Sequence, residues 1–295
     1  MQITQGIIIK GLGGLYTVAC DGRLFSCPAR GIFRKEGIKP MIGDKVTLDE
    51  IDEADRTAVI SGILPRKNQL LRPAVANVDH IVVVIATCSP APDMLLVDKL
   101  ILSAQQKHVP VTLAVNKTDQ DPEAAAKLCE EYRYAVSGVV ETCTTEGTGI
   151  DELKKIMHGI ISVMVGQSGA GKSSLINLLI GESVMETGGL SRKTDRGRHT
   201  TRHNEMFMSD NGFVIDSPGF SLFELEEMEP LQLQNLYPEI YNNRSDCFFQ
   251  DCSHTGEPKC FVKDLLENKK FSQGRYERYK ILYKELLEKE KNKYK

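Results

Sequence analysis

Apolar residues are spaced in three different ways along the chain. From residue 1 to residue 70, short apolar runs are separated by turn signals, among them Gly13-Gly14 and Asp21-Gly22. Such dipeptides between strand-like runs are typical of β-hairpins. About five short strands fit this region, which predicts a small β-barrel of the OB-fold type.

From residue 71 to residue 222, strand-like runs alternate with helical ones. HIVVVIA, VPVTLAV and GIISVMVG are continuous apolar runs of the kind found in buried parallel strands. The segments DMLLVDKLILSAQ and DPEAAAKLCEEY have helical spacing, and the second has a proline near its start. This alternation predicts a doubly wound α/β domain.

From residue 223 to residue 295, strand-like runs are absent. The segment ELEEMEPLQLQNLYPEIY predicts a helix, and the chain after Lys263 predicts one or two helices rich in Lys and Glu. This third predicted domain has few apolar residues that could form a core. We expect it to be mainly helical. The basic excess of the last segment fits a solvated helix and a nucleic-acid contact equally well.

Composition narrows the class of protein. A formal net charge of −3 gives no overall attraction to nucleic acid or to membranes, so any such attraction must be local. No apolar run approaches the roughly 18 residues that span a bilayer, and the N-terminus has no signal-peptide pattern. Three of the eight cysteines fall within residues 247–260. We therefore expect a cytoplasmic protein without membrane association, carrying a metal cluster rather than a disulfide scaffold.

The sequence GQSGAGKS, residues 166–173, matches a phosphate-binding loop between a buried strand and a helix. Its glycines let backbone N–H groups surround phosphates at a helix N-terminus. We expect Lys172 to reach the β- and γ-phosphates and Ser173 to bind Mg²⁺. The residues predicted to bind nucleotide in this loop are Gly166, Gln167, Ser168, Gly169, Ala170, Gly171, Lys172, Ser173 and Ser174.

The tetrapeptide NKTD, residues 116–119, follows a buried strand. Asp119 can accept hydrogen bonds from the ring N–H and amino group of guanine, a pattern that adenine lacks, and such sites reject the wrong base by roughly 10⁴-fold. Asn116 would brace the phosphate loop, and the Lys117 stem would cover the base. Taken alone, the tetrapeptide also fits a helix N-cap. Cys143-Thr144 stand where a base-capping loop is expected and would use backbone N–H groups.

The sequence FVIDSPG supplies a D-x-x-G motif at Asp216 and Gly219, although a plain β-turn also fits. Asp216 would contact Mg²⁺ through water, and the Gly219 N–H would bind the γ-phosphate. Thr200 or Thr201 would complete the Mg²⁺ shell, and we slightly prefer Thr201.

The residue after D-x-x-G is Phe220, which cannot orient an attacking water. His199 is the nearest polar candidate for that task, and a loop histidine without a role is the alternative.

The sequence CFFQDCSHTGEPKC brings together four potential metal ligands, Cys247, Cys252, His254 and Cys260. Three thiolates and one imidazole are typical of a closed, structural zinc site. Its metal would contribute on the order of 10 kcal/mol to folding of the tail.

In an ordinary GTPase the phosphate loop precedes the N-K-x-D motif, whereas here NKTD comes first. The motif order is therefore that of an ordinary GTPase after circular permutation. With NKTD, GQSGAGKSSLIN, GRHTT, DSPGF and the cysteine cluster, the chain resembles the circularly permuted, ribosome small-subunit-dependent GTPases of the RsgA type. The resemblance implies an OB-fold that contacts ribosomal RNA and slow GTP hydrolysis stimulated by the small subunit. It also implies a role in late maturation of that subunit, with His199 of GRHTT as the catalytic histidine.

We therefore predict a monomeric GTPase that uses Mg²⁺ with GTP and carries one structural Zn²⁺. Its partners would be GTP, GDP and the small ribosomal subunit with its rRNA. Two alternatives stay open: an RNA-binding module whose nucleotide site only stabilises the fold, and an ATP-dependent kinase, against which NKTD argues. The basic residues of the predicted barrel are Arg30, Arg34, Lys35, Lys39 and Lys45.

Overall fold

The computed structural model describes residues 4–71, 74–181, 206–209, 212–217 and 225–293. Within it, the chain divides into two compact units. The first unit comprises Met1–Ile81, Ile150–Val165 and Lys172–Leu222. The second unit comprises Val82–Gly149, Gly166–Gly171 and Phe223–Lys295.

The N-terminal region of the first unit is a closed barrel with strand order β1-β2-β3-β5-β4. Its elements are β1 (Thr4–Leu12), β2 (Leu15–Cys20), β3 (Arg23–Pro28), the short helix α1 (Ile32–Lys35), β4 (Lys45–Asp52) and β5 (Thr57–Ile63). Gly13, Gly14, Asp21 and Gly22 all have positive φ, as tight hairpin turns require. The predicted five-stranded barrel is thereby confirmed.

The remaining elements follow in chain order. They are β6 (Gln69–Leu71), β7 (Ala74–Ala76), β8 (His80–Ala86), α2 (Met94–Gln106), β9 (Val111–Asn116), α3 (Pro122–Tyr132), β10 (Gly138–Thr142), α4 (Ile150–Ile156), β11 (Ile160–Gly166), α5 (Lys172–Ile180), β12 (Met206–Ser209), β13 (Gly212–Asp216), α6 (Pro238–Tyr241), α7 (Val262–Glu267) and α8 (Gln273–Lys293). The alternation of strands and helices from β8 to β13 confirms the α/β domain.

In the first unit, β11 pairs in parallel with β13, which places Val163 opposite Ile215, and β12 pairs antiparallel with β13. In the second unit, β9 pairs in parallel with β10, which places Val115 opposite Glu141. Every residue of β8 and β9 is buried, as their continuous apolar runs predict. The carboxyl ends of β9 and β10 therefore meet at one edge, where NKTD begins.

The C-terminal region differs in two ways from the sequence prediction. Instead of one helix over residues 224–241, a 3₁₀ helix covers Pro230–Leu236 and α6 starts separately at Pro238. Proline lacks an N–H and disfavours helix in the residue before it, and Tyr237 is accordingly extended, with φ −106° and ψ 101°.

The expectation of few core residues in this region is wrong. Tyr237, Phe271 and Tyr279 are buried, and the Tyr237 ring packs edge to face against each of the other two rings. The core around them also includes Leu233, Ile240, Leu265 and Leu282.

A buried charge network holds α8 to α2 within the second unit. Arg275 is fully buried, and its Nη1 lies 2.6 Å from Asp98 Oδ1. Its Nε lies 2.7 Å from Glu239 Oε1 on α6. Arg278 also binds Asp98, and the Tyr132 hydroxyl donates to the same carboxylate at 2.8 Å. None of the helices in the described chain is both long and apolar enough to cross a membrane.

Candidate functional site

The tetrapeptide NKTD contacts the phosphate loop inside the second unit. Asn116 ends β9 and is fully buried. Its Nδ2 donates to the Ala170 carbonyl at 2.8 Å, and its Oδ1 accepts from the Thr142 hydroxyl at 3.1 Å. The side-chain amide is thus fixed at both ends, and the brace expected from Asn116 is present.

The next residues of the tetrapeptide leave the strand in a tight turn. Lys117 has φ 63°, and its Nζ contacts the Ser89 carbonyl. Asp119 is exposed on the turn that follows. The N-cap of α3 is Asp121, whose Oδ1 accepts from the Ala124 N–H at 2.9 Å. The capping role considered for NKTD therefore belongs to Asp121, and the Asp119 carboxylate faces solvent.

The predicted base-capping residues follow β10. Cys143 is buried, and its N–H donates to the Thr148 carbonyl at 3.2 Å. Its Sγ lies 3.0 Å from the Thr145 hydroxyl. Thr144 is half-buried on the turn beside it. Since the Cys143 N–H has an acceptor within the protein, Thr144 is the better placed of the two to offer a backbone N–H to a base.

At three positions of the phosphate loop, the backbone conformation or the neighbouring atoms require glycine. Gly169 and Gly171 have φ 85° and 92°, which other residues adopt only with strain. A Cβ on Gly171 would lie 2.2 Å from Asn116 Nδ2, and one on Gly166 would lie 2.6 Å from the Val84 carbonyl oxygen. The loop therefore leaves no space for side chains where it meets NKTD and β8.

The exposed part of the same loop is suited to a ligand. Ser168 and Gly169 are exposed, whereas Gln167 is half-buried. Ser173 and Ser174 are half-buried in the first turn of α5, which begins at Lys172. This arrangement of exposed loop followed by a helix N-terminus is the one that binds phosphate in other proteins.

In the first unit, Lys172 and Asp216 form an ion pair. Lys172 Nζ contacts Asp216 Oδ1, and the two side chains are 12% and 19% exposed. Asp216 ends β13, and the N–H of Ser217 donates to the Met164 carbonyl at 3.2 Å. A cation beside a carboxylate suits a phosphate chain with its divalent ion, because the cation can contact the phosphates and the carboxylate can contact the ion.

Several predicted site residues lie outside the described residues: His199, Thr200, Thr201, Gly219 and Phe220. Their proposed roles stay predictions.

Cys247, Cys252, His254 and Cys260 form a compact set of metal ligands. Their four ligand atoms all lie within 4.8 Å of one another. His254 Nδ1 lies 3.4 Å from Cys260 Sγ and 3.6 Å from Cys247 Sγ. A tetrahedral zinc with bonds of about 2.3 Å to sulfur and 2.0 Å to nitrogen separates these atoms by about 3.5 Å. The cluster therefore fits one tetrahedral metal ion.

The histidine of this cluster is prepared as a neutral ligand. Its Nε2 lies 2.8 Å from Gln234 Oε1, and because an amide oxygen only accepts, Nε2 carries the proton. The lone pair of Nδ1 then points at the thiols. Burial lowers the pKa of His254, which also favours the neutral ring. Gln234 has no motif around it, so the sequence carries no signal for this role.

Glu257 organises the metal-binding loop without being a ligand. Its Oε1 accepts from the Ser253 N–H at 2.7 Å and from the Ser253 hydroxyl at 2.5 Å. Its Oε2 accepts from the N–H groups of Thr255 at 3.0 Å and Gly256 at 3.1 Å. Burial alone would raise the pKa of Glu257, but these hydrogen bonds outweigh burial and lower it to about 2.

Two family models match the chain, and each corresponds to a region already described. The model described as RsgA GTPase matches residues 63–226, and the model described as RsgA N-terminal domain matches residues 5–60. The small ribosomal subunit biogenesis GTPase RsgA of Agathobacter rectalis is 42% identical over 97% of this chain and 99% of its own. The protein of that name from Carboxydothermus hydrogenoformans is 40% identical over 98% of this chain and 99% of its own.

Solved structures agree with this fold. YjeQ from Thermotoga maritima has a TM-score of 0.79 at 32% identity and covers 97% of this chain and 99% of its own. YloQ, described as a circularly permuted GTPase, has a TM-score of 0.78 at 28% identity, covering 98% of this chain and 96% of its own. The chain therefore belongs to the RsgA family of circularly permuted GTPases, and it is a GTP hydrolase.

Proposed function

We propose that this protein hydrolyses GTP during late maturation of the small ribosomal subunit, at a slow intrinsic rate that the subunit stimulates. The observation that carries the proposal is the 2.8 Å hydrogen bond from Asn116 Nδ2 to the Ala170 carbonyl. It joins the guanine-reading tetrapeptide to the phosphate loop although the two motifs occur in permuted order. The names of the relatives from Agathobacter rectalis and Carboxydothermus hydrogenoformans support the link to small-subunit biogenesis.

In this proposal the phosphate loop and Lys172 bind the phosphates, and Asp119 reads the base beside Thr144. Ser173 and Thr201 would hold Mg²⁺, with Asp216 acting through water and the Gly219 N–H on the γ-phosphate. The ion would neutralise charge that develops on the phosphates during hydrolysis. Binding requires the Lys172–Asp216 contact to open, so that each group turns to its own part of the ligand. His199 would orient the attacking water.

The metal of the cysteine cluster is proposed to be one Zn²⁺ with a structural role. Four protein donors close the tetrahedron and leave no position for a reacting water. The barrel is proposed to contact rRNA, and the exposed Lys35, Lys39 and Lys45 support a phosphate-directed contact. A role on the small subunit also places the protein in the cytoplasm.

Phosphate release from GTP tests the proposal. It should be measured without ribosomes, with purified small subunits and with purified large subunits, at two salt concentrations. We expect strong stimulation by small subunits only, and less of it at high salt because phosphate contacts weaken with salt. Equal rates in all three conditions would contradict the proposed activator. Competition between GDP and ADP in the same assay separates a GTPase from a kinase that uses ATP.

His199→Ala tests the proposed hydrolysis step. The variant should bind GDP as the parent does but lose the stimulated rate, by about 10²-fold or more. His203→Ala, four positions further along the sequence, is the matched control and should keep that rate. A His199→Ala variant that is stimulated normally would remove the histidine from the mechanism and leave the nucleotide site intact.

A further inference from the structure

Thr87, directly after β8, touches the guanine-reading tetrapeptide at two successive residues. Its N–H donates to the Asn116 carbonyl at 3.1 Å. Its hydroxyl donates to the Lys117 carbonyl at 2.9 Å. The residue is only 7% exposed, so the hydroxyl bond is shielded from competing water. One residue outside every predicted motif therefore fixes two consecutive carbonyl groups of NKTD.

The second of these contacts acts where the backbone is strained. Lys117 has φ 63°, in the left-handed region that non-glycine residues seldom adopt. Such conformations persist when neighbouring groups hold them, and they concentrate at functional sites. The Thr87 hydroxyl binds the carbonyl that leaves this strained residue. It therefore helps set the direction in which the chain continues towards Asp119.

The other side of the turn has its own anchor. The Thr118 N–H and hydroxyl lie 3.4 Å and 3.3 Å from the Thr142 carbonyl at the end of β10. Beyond these anchors, Asp119 is exposed and lies on the turn. The position of its carboxylate relative to a bound base therefore depends on how firmly the residues before Asp119 are held.

The segment that begins at Thr87 also reaches the phosphate loop. The Ser89 carbonyl accepts from Lys117 Nζ. The Asp93 N–H donates to Gln167 Oε1 at 3.4 Å. A Cβ on Gly169 would lie 3.1 Å from Pro90 Cδ, which shows how closely the proline approaches the loop. Residues 87–93 thus support both loops that the proposed function assigns to GTP.

We propose that Thr87 is a positioning residue for guanine recognition: its hydroxyl holds the Lys117 carbonyl so that the Asp119 carboxylate meets the N–H groups of guanine. This inference rests on the proposed function, because it assumes that NKTD reads the base. Discrimination by hydrogen bonds depends on geometry. A displaced carboxylate no longer forms good hydrogen bonds with the correct base, and it no longer excludes the wrong base. Without the hydroxyl, Lys117 loses a restraint on its left-handed conformation. The Asp119 carboxylate is then held less precisely.

Equilibrium binding of GDP and IDP to the full-length protein tests the proposal. IDP lacks only the exocyclic amino group, one of the two donors expected to meet Asp119. In Thr87→Val, we expect GDP affinity to fall about tenfold and IDP affinity to fall less, so that the preference for GDP shrinks several-fold. Thr87→Ala should give the same change if the valine variant folds poorly. Thr87→Ser keeps the hydroxyl and should retain the preference.

Thr112→Val is the matched control, because it removes the hydroxyl of a residue that is 1% exposed on β9 and lies four positions before Asn116. It should lower thermal stability without changing the GDP to IDP ratio. An unchanged ratio in both Thr87→Val and Thr87→Ala would overturn the proposal, as would loss of the preference in Thr87→Ser. If the parent protein does not prefer GDP to ADP, the proposed function itself fails, and the role of Thr87 fails with it.

Discussion

At the scale of single residues, Glu257 shows how a side chain that binds no metal can determine a metal site. Three of the four ligands, Cys252, His254 and Cys260, lie on the loop that this carboxylate organises. Its pKa is lowered to about 2, from an ordinary value of 4.5. A lowered carboxyl pKa stabilises the fold fully above the ordinary value, and that contribution is lost as the pH falls towards the folded value. The stabilisation by Glu257 is therefore complete at pH 7.

Glu257→Gln should loosen this loop at pH 7. Glutamine has an amide nitrogen in place of one carboxylate oxygen, and this nitrogen cannot accept hydrogen bonds. The donors that bind that oxygen in the parent protein therefore lose their acceptor. We expect zinc to pass to a coloured chelator several-fold faster than from the parent protein. Glu267→Gln, an exposed acid on α7, is the matched control and should release zinc at the parental rate. Identical rates for Glu257→Gln and the parent would show that the ligands alone hold the loop.

At the scale of elements, α2 owes its position to charges as well as to apolar packing. Arg275 on α8 binds Asp98 on α2 and Glu239 on α6, and all three side chains are buried. A second connection lies at the end of α2, where Gln106 exchanges hydrogen bonds of 3.2 Å and 2.9 Å with the backbone of Glu226. The helical region is therefore held to the α/β part of the second unit at several places, which also include the Lys99–Glu285 ion pair between α2 and α8.

Arg275→Met should destabilise the protein by about 3–5 kcal/mol, because it leaves the buried Glu239 carboxylate without a cation and removes one of the two cations that bind Asp98. Unfolding in urea measures this as a lower midpoint. Lys284→Met, at an exposed position of the same helix, should change the midpoint little. The double variant Arg275→Met, Glu239→Gln should recover part of the loss, because one buried charge is removed. A loss below about 1 kcal/mol in the single variant would contradict this account.

At the scale of the whole molecule, sequence reasoning recovered what is local in the chain. The phosphate loop, NKTD and the metal ligands each depend on a few neighbouring residues and their spacing, so their residue types identify them. The helix predicted over residues 224–241 is interrupted before Pro238, where a periodic apolar pattern continues but the helical backbone cannot. Thr87 and Gln234 form hydrogen bonds to segments that are distant in sequence, and no local pattern reports such contacts.

The bond between Asp98 and Arg275 was equally hidden, since 177 positions separate the two residues. That separation also bears on how the protein is made. Asp98 is synthesised early, and the cation that completes its surroundings belongs to α8, which is synthesised much later. We expect a chain ending at residue 272 to be cut within α2 by proteases much faster than one ending at residue 293. Equal resistance of the two chains would contradict this expectation. A translation product that stops before α8 thus keeps the buried Asp98 without the arginines that bind it, and we expect proteases to remove it.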